Sequence, residues 1–284
     1  MRAVEVIEMQ IRNLGREIVP DPVKTHLWYR YQMVKKVLET KRFGLFATAQ
    51  IEVNTDCNRR CSYCPNSRFP KKPVYMDEDL FQQIIDELKG ISYQGRILPH
   101  CVNEPLEHPK LPQLIATARE AEKSRIEIFT NGDSLNRERF DELRKAGANA
   151  FVITQHGKNT PPGLKDLLDS LTNHEQKGVT YRKLDPFHLF NRGIPGLIEP
   201  RKRAIPDPCF IADYYLQILV NGDIVQCCND FRGEHVFGNI KERSIMDIWN
   251  DTDYKVFRNE VRHGQFKQDL CQRCVFDTPK TLQG

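Results

Sequence analysis

The chain has 284 residues, of which 39% are hydrophobic, so it can bury a sizeable core in one large domain or in a large and a small one. Its 42 basic and 38 acidic side chains leave a net charge of +4 without a long run of like charge, which indicates neither a nucleic-acid coat nor a membrane-surface protein. No stretch approaches the ~18 apolar residues of a membrane span, and acids interrupt the N-terminal segment where a signal peptide is apolar. We therefore expect a cytoplasmic protein that binds neither nucleic acid nor membrane.

Residues 1–45 are predicted to form an N-terminal helical extension. A helix is expected at 26–41, because apolar residues recur there at helical spacing on one face: Leu27, Tyr31, Val34 and Leu38. We expect this helix to pack against the main domain.

Residues 46–184 alternate between strand and helix patterns. Strands are predicted at 46–54, 96–102, 126–130, 150–155 and 179–182, and helices at 77–89, 111–122, 135–146 and 164–172. Repeated βα units imply a parallel sheet with helices outside it, so the fold class is α/β. Reactive groups of such barrels lie where strands end, and here each of the first four strands is followed by polar residues.

The C-terminal part of the chain departs from this alternation. Residues 185–208 are rich in proline and glycine and are predicted to be an ordered linker. Residues 209–284 then form a second, small domain. Its first feature is a β-hairpin at 214–227, because Asn221-Gly222 lies between two apolar runs. Short helices are expected near 244–250 and 254–261.

Three cysteines fall within eight residues directly after the first predicted strand, in the sequence C-N-R-R-C-S-Y-C at 57–64. A cubane iron-sulfur cluster that is fully held by protein takes four cysteines. Cys57, Cys61 and Cys64 would therefore leave one iron open to an exogenous ligand. The alternatives are buried structural thiols or a zinc site, although zinc ligands usually come as two C-x2-C pairs.

The C-x3-C-x2-C spacing resembles the signature of the radical S-adenosylmethionine (SAM) superfamily, in which SAM chelates the open iron of a [4Fe-4S] cluster. The resemblance implies a partial (β/α)6 TIM-type barrel and a low-potential reductant such as flavodoxin or ferredoxin. It also implies that Tyr63 lies beside the SAM adenine and that Glu104 of V-N-E-P accepts from the SAM amino group. Asn103 replaces a glycine of that motif, and asparagine tolerates left-handed backbone. Asn131 and Gln155 are candidates for the SAM ribose and carboxylate, or are turn-forming polar residues.

A second group of cysteines lies past residue 200, at Cys209, Cys227, Cys228, Cys271 and Cys274. Four of these thiols can surround a second cluster or a zinc ion. Beside the first motif, the pattern resembles the twitch domain, a shortened SPASM domain with one auxiliary [4Fe-4S] cluster. The resemblance implies a small hairpin-and-helix domain whose ligands are Cys209, Cys227, Cys271 and Cys274. The remaining cysteine outside both groups, Cys101, is most simply a core residue.

Several longer phrases resemble the radical SAM twitch enzymes of aminoglycoside biosynthesis, a group that includes deoxy-scyllo-inosamine dehydrogenase and neomycin epimerase. They include F-T-N-G-D, F-V-I-T-Q-H, N-R-G and G-N-I-K-E-R-S-I-M-D-I-W, and the likeness extends over residues 50–275. It implies an antibiotic-biosynthesis enzyme with a small carbohydrate or aminocyclitol substrate. It also implies a catalytic role for Arg192 of N-R-G, beside a substrate hydroxyl.

Cys228 directs the expected reaction toward epimerisation. Neighbouring side chains on extended backbone point opposite ways, so Cys228 points away from the auxiliary cluster if Cys227 points toward it. A thiol near the substrate can deliver a hydrogen atom to the opposite face of a carbon radical. We therefore expect an epimerase slightly ahead of a dehydrogenase that makes a ketone. The other roles open to Cys228 are packing and cluster ligation.

Two further functions stay open at this point. The same scaffold modifies peptides in some relatives, although 45 residues before the first strand are too few for a leader-binding domain. The non-enzymatic alternative is a zinc-stabilised binding module. Glu52 and Asp230 are candidate acids for binding the amino group of a sugar.

Overall fold

The computed structural model describes residues 21–184, 189, 191–198 and 209–276, and it describes the side chains of these residues from 30 to 275. Its strands are β1 (Thr48–Ile51), β2 (Arg96–Leu98), β3 (Arg125–Thr130), β4 (Ala150–Gln155), β5 (Val179–Lys183), β6 (Tyr215–Ile218), β7 (Asp223–Val225) and β8 (Val236–Asn239). They form a single sheet in the order β5-β4-β3-β2-β1-β6-β7-β8. The prediction of an α/β fold is confirmed.

The helices of the described residues alternate with these strands as far as β5 and then gather in the C-terminal part. They are α1 (Asp21–Thr40), α2 (Pro65–Arg68), α3 (Glu78–Gly90), α4 (Leu111–Ala118), α5 (Arg137–Ala146), α6 (Pro162–Ser170), α7 (Asn173–Gln176), α8 (Ile211–Tyr214), α9 (Ile245–Trp249), α10 (Thr252–Arg262) and α11 (Asp269–Phe276). Of these helices, none combines the length and the apolar character that crossing a bilayer requires.

The third helix shows why the predicted periodicity forms a helix here. The Asp77 side chain accepts from the backbone N–H groups of Asp79 and Leu80, which satisfies two free donors at the start of α3. Leu80, Ile84 and Leu88 then recur on one face and are buried against the sheet.

The order of the sheet joins the two predicted domains. Strands β1 to β5 are parallel to their neighbours, and β6 also pairs in parallel with β1, on the side away from β2. Because β6 is the first strand of the predicted hairpin, the sheet continues without a break into the antiparallel strands β7 and β8. The division into domains stays a prediction, and most of the predicted linker at 185–208 lies outside the described residues.

Two strands are shorter than their sequence patterns predict. The patterns at 46–54 and 96–102 predict longer strands than 48–51 and 96–98. At the second of these the His100 N–H donates to the carbonyl of Leu98 rather than to a neighbouring strand. The carboxyl ends of both strands therefore become loops, and these loops carry the polar residues.

One hydrophobic core extends from the βα units into the C-terminal helices. The ring of Phe46 lies 5.1 Å from that of Trp249 on α9 and 5.1 Å from that of Tyr93. The Trp249 indole N–H donates to the Gly44 carbonyl at 2.9 Å. Aromatic packing of this kind makes the C-terminal helices part of the support under β1.

The first helix packs against the rest of the chain through a different face from the one its apolar residues indicate. Gln32, Lys36 and Thr40 are buried, whereas Val34 and Leu38 are each 58% exposed. The backbone of Leu27 is described, but its side chain is not. The packing of α1 is as predicted, and the choice of face was wrong.

The contacts of the buried Lys36 side chain explain why α1 packs through this face. The Lys36 ammonium donates to the carbonyl of Asp213 at 3.1 Å. The Asp213 carboxylate is 3% exposed and accepts from Arg262 at 2.6 and 2.7 Å, with Arg258 at 3.9 Å. Burial lowers the pKa of Lys36, and the negative charge of Asp213 opposes that shift. A charge cluster thus anchors α1.

We expect Asp213→Asn to destabilise the protein by about 3 kcal/mol or more, because it leaves buried cations without their counter-charge. Urea unfolding of the anaerobic protein measures the loss. Glu142→Gln, which removes the exposed partner of Arg139, is the control and should cost less than about 1 kcal/mol. An Asp213→Asn protein as stable as the control would contradict the role of this charge cluster.

Candidate active site

A cavity of about 550 Å³ lies at the carboxyl ends of the first four strands. Its volume suits a small molecule together with a cofactor. It brings together most of the residues that the sequence indicated outside the second cysteine group, together with Cys228 of that group: Cys57, Cys61, Tyr63, Cys64, Asn103, Glu104, Asn131, Arg192 and Cys228. Gln155 and the two candidate acids, Glu52 and Asp230, are the exceptions.

The first three thiols share this cavity in a loop that backbone contacts hold. The Cys57 N–H donates to the Asp56 side chain at 2.8 Å, and the Cys64 N–H donates to the Cys61 carbonyl at 2.9 Å. Burial raises the pKa of the Cys57 thiol to about 11, and the charges of Glu104 and of the other two thiols add to the shift. Thiols that repel one another as thiolates are suited to a cationic metal group, which binds them deprotonated.

An ion pair that the sequence did not single out ties this loop to the end of β3. The guanidinium of Arg59 donates twice to the carboxylate of Asp133, both times at 2.5 Å. Alongside it, the Asn131 amide donates to the Asn58 side chain at 2.7 Å. Asp133 belongs to the phrase F-T-N-G-D, so its position was visible in the sequence although its partner was not.

Glu104 is a buried carboxylate at the centre of the loops. It accepts from the Thr130 hydroxyl at 2.6 Å and from the backbone N–H groups of Asn131 at 2.8 Å and Leu106 at 3.2 Å. Burial raises the pKa of this carboxyl group to about 7, against the effect of these hydrogen bonds. Its backbone N–H donates to the Asp56 carbonyl at 2.9 Å, next to the first thiol.

Asn103 has a different role from the expected one of tolerating left-handed backbone. Among the described non-glycine residues, positive φ occurs at Lys41, Ser92 and Arg192, and not at Asn103. The Asn103 amide instead donates to Asn54 at 2.5 Å and accepts from the Cys101 N–H at 2.6 Å. It therefore links the ends of β1 and β2 through its side chain.

Strand alternation separates the residues at the end of β4. Thr154 and His156 line the cavity, and the Tyr63 hydroxyl lies 2.7 Å from Nδ1 of His156. The side chain of Gln155 points away: it donates to the Gly157 carbonyl at 2.9 Å and accepts from Thr160 and Tyr181. Side chains that alternate across a strand explain why the neighbours, and not Gln155, face the cavity.

The second cysteine group lies in the C-terminal part. Cys271 and Cys274 are one turn apart on α11, and burial, together with the charge of Cys209, raises the pKa of each to about 12. Burial also raises the pKa of Cys227, and the charges of Cys228, Cys271 and Cys274 add to that shift. These thiols are near enough to interact electrostatically. Across residues 21–276, in the parts described, no three Cys, His, Asp or Glu side chains are close enough to share a single ion.

Cys228 and Arg192 meet at the cavity wall. Cys228 lines the cavity and Cys227 does not, although the two residues lie in a bend and turn after β7 rather than on the extended backbone that the prediction assumed. Arg192 has a left-handed backbone with φ of 53°, and its guanidinium donates to Asn229 Oδ1 at 3.1 Å and to the Cys228 carbonyl at 3.4 Å. Strained backbone at a non-glycine residue is typical of functional sites.

Gln50 and His100 are among the polar residues of the cavity that the sequence did not single out. Gln50 on β1 and His100 after β2 both line it, and neither Gln50 Oε1 nor His100 Nδ1 has a hydrogen-bond partner among the described residues. Burial lowers the pKa of His100 to about 4, with a contribution from the charge of Arg192, so the imidazole is neutral. Their place at strand ends was readable in the sequence, but nothing in their residue type marked them.

The two candidate acids for an amino group do not line this cavity. Glu52 pairs with Lys71 at 3.0 Å and accepts from the Val220 N–H at 3.2 Å. The Asp230 carboxylate accepts from the backbone N–H groups of Glu234 and His235 at 2.7 and 2.9 Å. Both carboxylates serve the fold.

Comparisons with known families match two parts of the chain. The radical SAM superfamily model matches residues 51–167, and an iron-sulfur cluster-binding domain model, SPASM, matches residues 209–275. These two ranges contain the first and the second cysteine group, respectively.

Individual relatives agree with these matches. S-adenosyl-L-methionine-dependent 2-deoxy-scyllo-inosamine dehydrogenase from Niallia circulans is 32% identical over 235 residues, which cover 81% of this chain and 93% of the relative. The tungsten-containing aldehyde ferredoxin oxidoreductase cofactor-modifying protein of Pyrococcus furiosus is 29% identical over 81% of this chain and 66% of its own length.

Solved structures show the same likeness. The crystal structure of BtrN in complex with AdoMet and 2-DOIA has a TM-score of 0.74 at 32% identity and covers 81% of this chain and 93% of that one. BtrN in an open conformation gives a TM-score of 0.64 at 28% identity, over 81% and 92% of the two chains. The predicted radical SAM fold is thereby confirmed. The chain belongs to the radical SAM superfamily and binds S-adenosyl-L-methionine, a [4Fe-4S] cluster and an auxiliary iron-sulfur cluster.

Proposed function

We propose that this enzyme is a dehydrogenase that oxidises a hydroxyl group of an aminocyclitol to a ketone. The observation that carries the proposal is the position of Arg192, which lines the cavity of the first three thiols and reaches the second cysteine group through Asn229. The likeness to 2-deoxy-scyllo-inosamine dehydrogenase and to the BtrN complex with 2-DOIA supports the same reaction and the same substrate class.

We assign the groups of the cavity as follows. Cys57, Cys61 and Cys64 are the ligands of the SAM-binding cluster. The SAM contacts come from Tyr63, Asn103, Glu104 and Asn131, while Gln155 supports the end of β4 from its outer side. A carboxylate has about four acceptor sites, so Glu104, which accepts three hydrogen bonds within the chain, keeps one for an ammonium group.

The wall of the cavity suits a molecule with several hydroxyl groups and an amine. Gln50 Oε1 accepts a hydrogen bond from such a group, and His100 Nδ1 can do so in its neutral form. The guanidinium of Arg192 donates to a hydroxyl oxygen and orients the carbon that bears it. A buried polar atom that a substrate satisfies also selects against substrates that lack the matching group.

Oxidation of a secondary alcohol removes a hydrogen atom from carbon, a proton from oxygen and one further electron. SAM and its cluster, held by Cys57, Cys61 and Cys64, would supply a radical able to take the hydrogen atom, and an auxiliary cluster held by the second cysteine group would supply an acceptor for the electron. The chain holds the hydroxyl group between Arg192 and the neutral His100. The proton leaves to water or to a base of the cavity wall.

Epimerisation is the second candidate, because Cys228 lines the cavity. The comparisons do not support it as the main reaction; they favour the dehydrogenase that the sequence analysis kept as the alternative. Peptide modification has no observation in its favour here. The zinc-stabilised binding module is wrong, because the chain belongs to a family of enzymes.

The two reactions are separated by incubating the enzyme with SAM, dithionite and 2-deoxy-scyllo-inosamine in deuterated water. We expect a ketone product, with one molecule of 5′-deoxyadenosine formed for each molecule of ketone. We expect the rate of ketone formation by Cys228→Ala to stay within about threefold of the wild-type rate, because oxidation uses no hydrogen atom from a thiol. Cys101→Ala, which removes another thiol from the same cavity, is the matched control. Deuterium at an inverted carbon that disappears only in Cys228→Ala would instead establish epimerisation.

The ligand assignment predicts the iron content of the anaerobically reconstituted protein. We expect about eight irons per chain, and about four in a Cys57→Ala/Cys61→Ala/Cys64→Ala variant and in a Cys271→Ala/Cys274→Ala variant, because each [4Fe-4S] cluster contributes four. Cys101→Ala should keep the full content. A wild-type protein with about four irons would remove the second cluster from this proposal.

We also propose where a reductant docks. The segment 57–76 carries five Lys and Arg residues and no Asp or Glu. Arg59 and Lys71 are paired with Asp133 and Glu52, respectively, whereas Arg60, Arg68 and Lys72 are exposed. A cationic surface attracts an acidic electron carrier such as flavodoxin and speeds its encounter.

Exposed apolar side chains accompany these cations. Phe69, Val74 and Tyr75 are 36%, 48% and 44% exposed. The segment lies against the strand end that leads to Cys57, because the Thr55 N–H donates to the Val74 carbonyl at 2.9 Å. Apolar side chains ringed by one charge are typical of transient protein interfaces, and this one adjoins the first thiol loop.

We expect Arg68→Glu/Lys72→Glu to raise the KM for reduced flavodoxin about tenfold or more at low salt, since both charges would then repel the carrier. The rate of SAM cleavage with flavodoxin, divided by the rate with dithionite, measures the effect, because a small reductant needs no docking. Lys123→Glu/Lys177→Glu is the matched control, since these exposed cations precede β3 and β5 at the opposite end of the sheet. An unchanged ratio in the first variant would contradict the docking site.

A further inference from the structure

Asn229 lies between the cavity and the second cysteine group and contacts a residue of each. Its amide nitrogen Nδ2 lies 3.4 Å from Sγ of Cys274, and its amide oxygen Oδ1 accepts from Nε of Arg192 at 3.1 Å. The side chain is 3% exposed. We propose that Asn229 is a positioning residue that sets the reduction potential of the auxiliary cluster and at the same time holds Arg192 at the cavity.

The orientation of this amide follows from the chemistry of its partners. A guanidinium has donors and no acceptor, so the oxygen of the amide has to face Arg192. The nitrogen therefore faces Cys274 and donates to its Sγ at 3.4 Å. The backbone N–H of Asn229 also hydrogen-bonds to Cys227. One residue thus donates to two of the four thiols assigned to the auxiliary cluster.

The contact with Cys274 bears on the electron that leaves the substrate. An N–H donor beside a cluster sulfur stabilises the more negative, reduced form and so raises the reduction potential. The effect is strong here because burial excludes water that would screen it. A higher potential makes the auxiliary cluster a better acceptor for the electron of a substrate radical.

The contact with Arg192 bears on substrate binding. Arg192 sits on left-handed backbone next to Gly193, where a Cβ would lie 2.4 Å from the side chain of Leu270. Packing against Leu270 therefore fixes the backbone of this turn. The hydrogen bond to Asn229 Oδ1 fixes the guanidinium end of the Arg192 side chain. A guanidinium held in advance loses less entropy when a substrate hydroxyl binds.

Two variants separate these contacts. Asn229→Asp keeps an oxygen for Arg192 and loses the donor to Cys274, whereas Asn229→Leu loses both. Asn239→Leu is the matched control, because the Asn239 amide donates to Asp223 and to the carbonyl of Asn221 in the same part of the chain and not to a sulfur. The KM part of the inference rests on the proposed function, and the potential does not, because it is measured without substrate.

The potential is measured by an anaerobic redox titration of the holoenzyme followed by electron paramagnetic resonance. The signal of the auxiliary cluster is identified in the variant that lacks Cys57, Cys61 and Cys64. We expect both Asn229 variants to disfavour reduction about tenfold, which is about 59 mV for one electron. We expect Asn229→Leu alone to raise the KM for 2-deoxy-scyllo-inosamine, about tenfold, and Asn239→Leu to change neither quantity by more than about threefold.

The inference would be overturned if both Asn229 variants retained their iron and the equilibrium constant for reduction of the auxiliary cluster stayed within about threefold of the wild-type value. If the variants lose iron, the unaltered enzyme carries the test after asparagine is labelled with ¹⁵N at its side-chain amide. A hyperfine coupling between that ¹⁵N and the reduced auxiliary cluster is then expected. Its absence would overturn the inference as well.

Discussion

The site depends on one buried carboxylate. Glu104 joins the loops that follow β1, β2 and β3: its oxygens accept from Thr130 and Asn131, and its backbone N–H donates to Asp56. A buried acid is costly unless its oxygens are hydrogen-bonded. Because its side chain accepts from two consecutive residues at the end of β3 while its backbone N–H donates to Asp56, the geometry that stabilises Glu104 is also the geometry that brings the thiol loop to the end of β3.

The sequence indicated which chemical groups form the site more clearly than it indicated which side chains face the cavity. The C-x3-C-x2-C spacing is local, so its three thiols could be predicted to share one loop, and the loop ends in the cavity. Gln155 was indicated by its place at the end of β4, but alternation along that strand turns it away from the cavity. Gln50 and His100 were missed because nothing in their residue type marked them, although both lie near strand ends and line the cavity.

Long-range pairing limited what could be predicted of the fold. The hairpin signal at Asn221-Gly222 is local and was correct, but the pairing of β6 with β1 joins residues far apart in the chain. The packing face of α1 depends on the hydrogen bond from Lys36 to the Asp213 carbonyl, and helical periodicity does not reveal this long-range contact. Because β6 pairs with β1, the hairpin that leads to Cys227 and Cys228 lies beside the strand that leads to Cys57.

The order of the sheet leaves β5 at one edge, where it pairs with β4 alone among the described strands. Its other row of backbone groups pairs with no strand in the part of the chain that the structure describes, and an unpaired row of this kind is a template for the edge of another copy, which closed barrels avoid. Two of its five residues, Arg182 and Lys183, are charged, and the strand is largely exposed. Cations on an edge strand repel the same strand of a second molecule. The barrel can therefore stay open beside its cavity without becoming a template for β-aggregation.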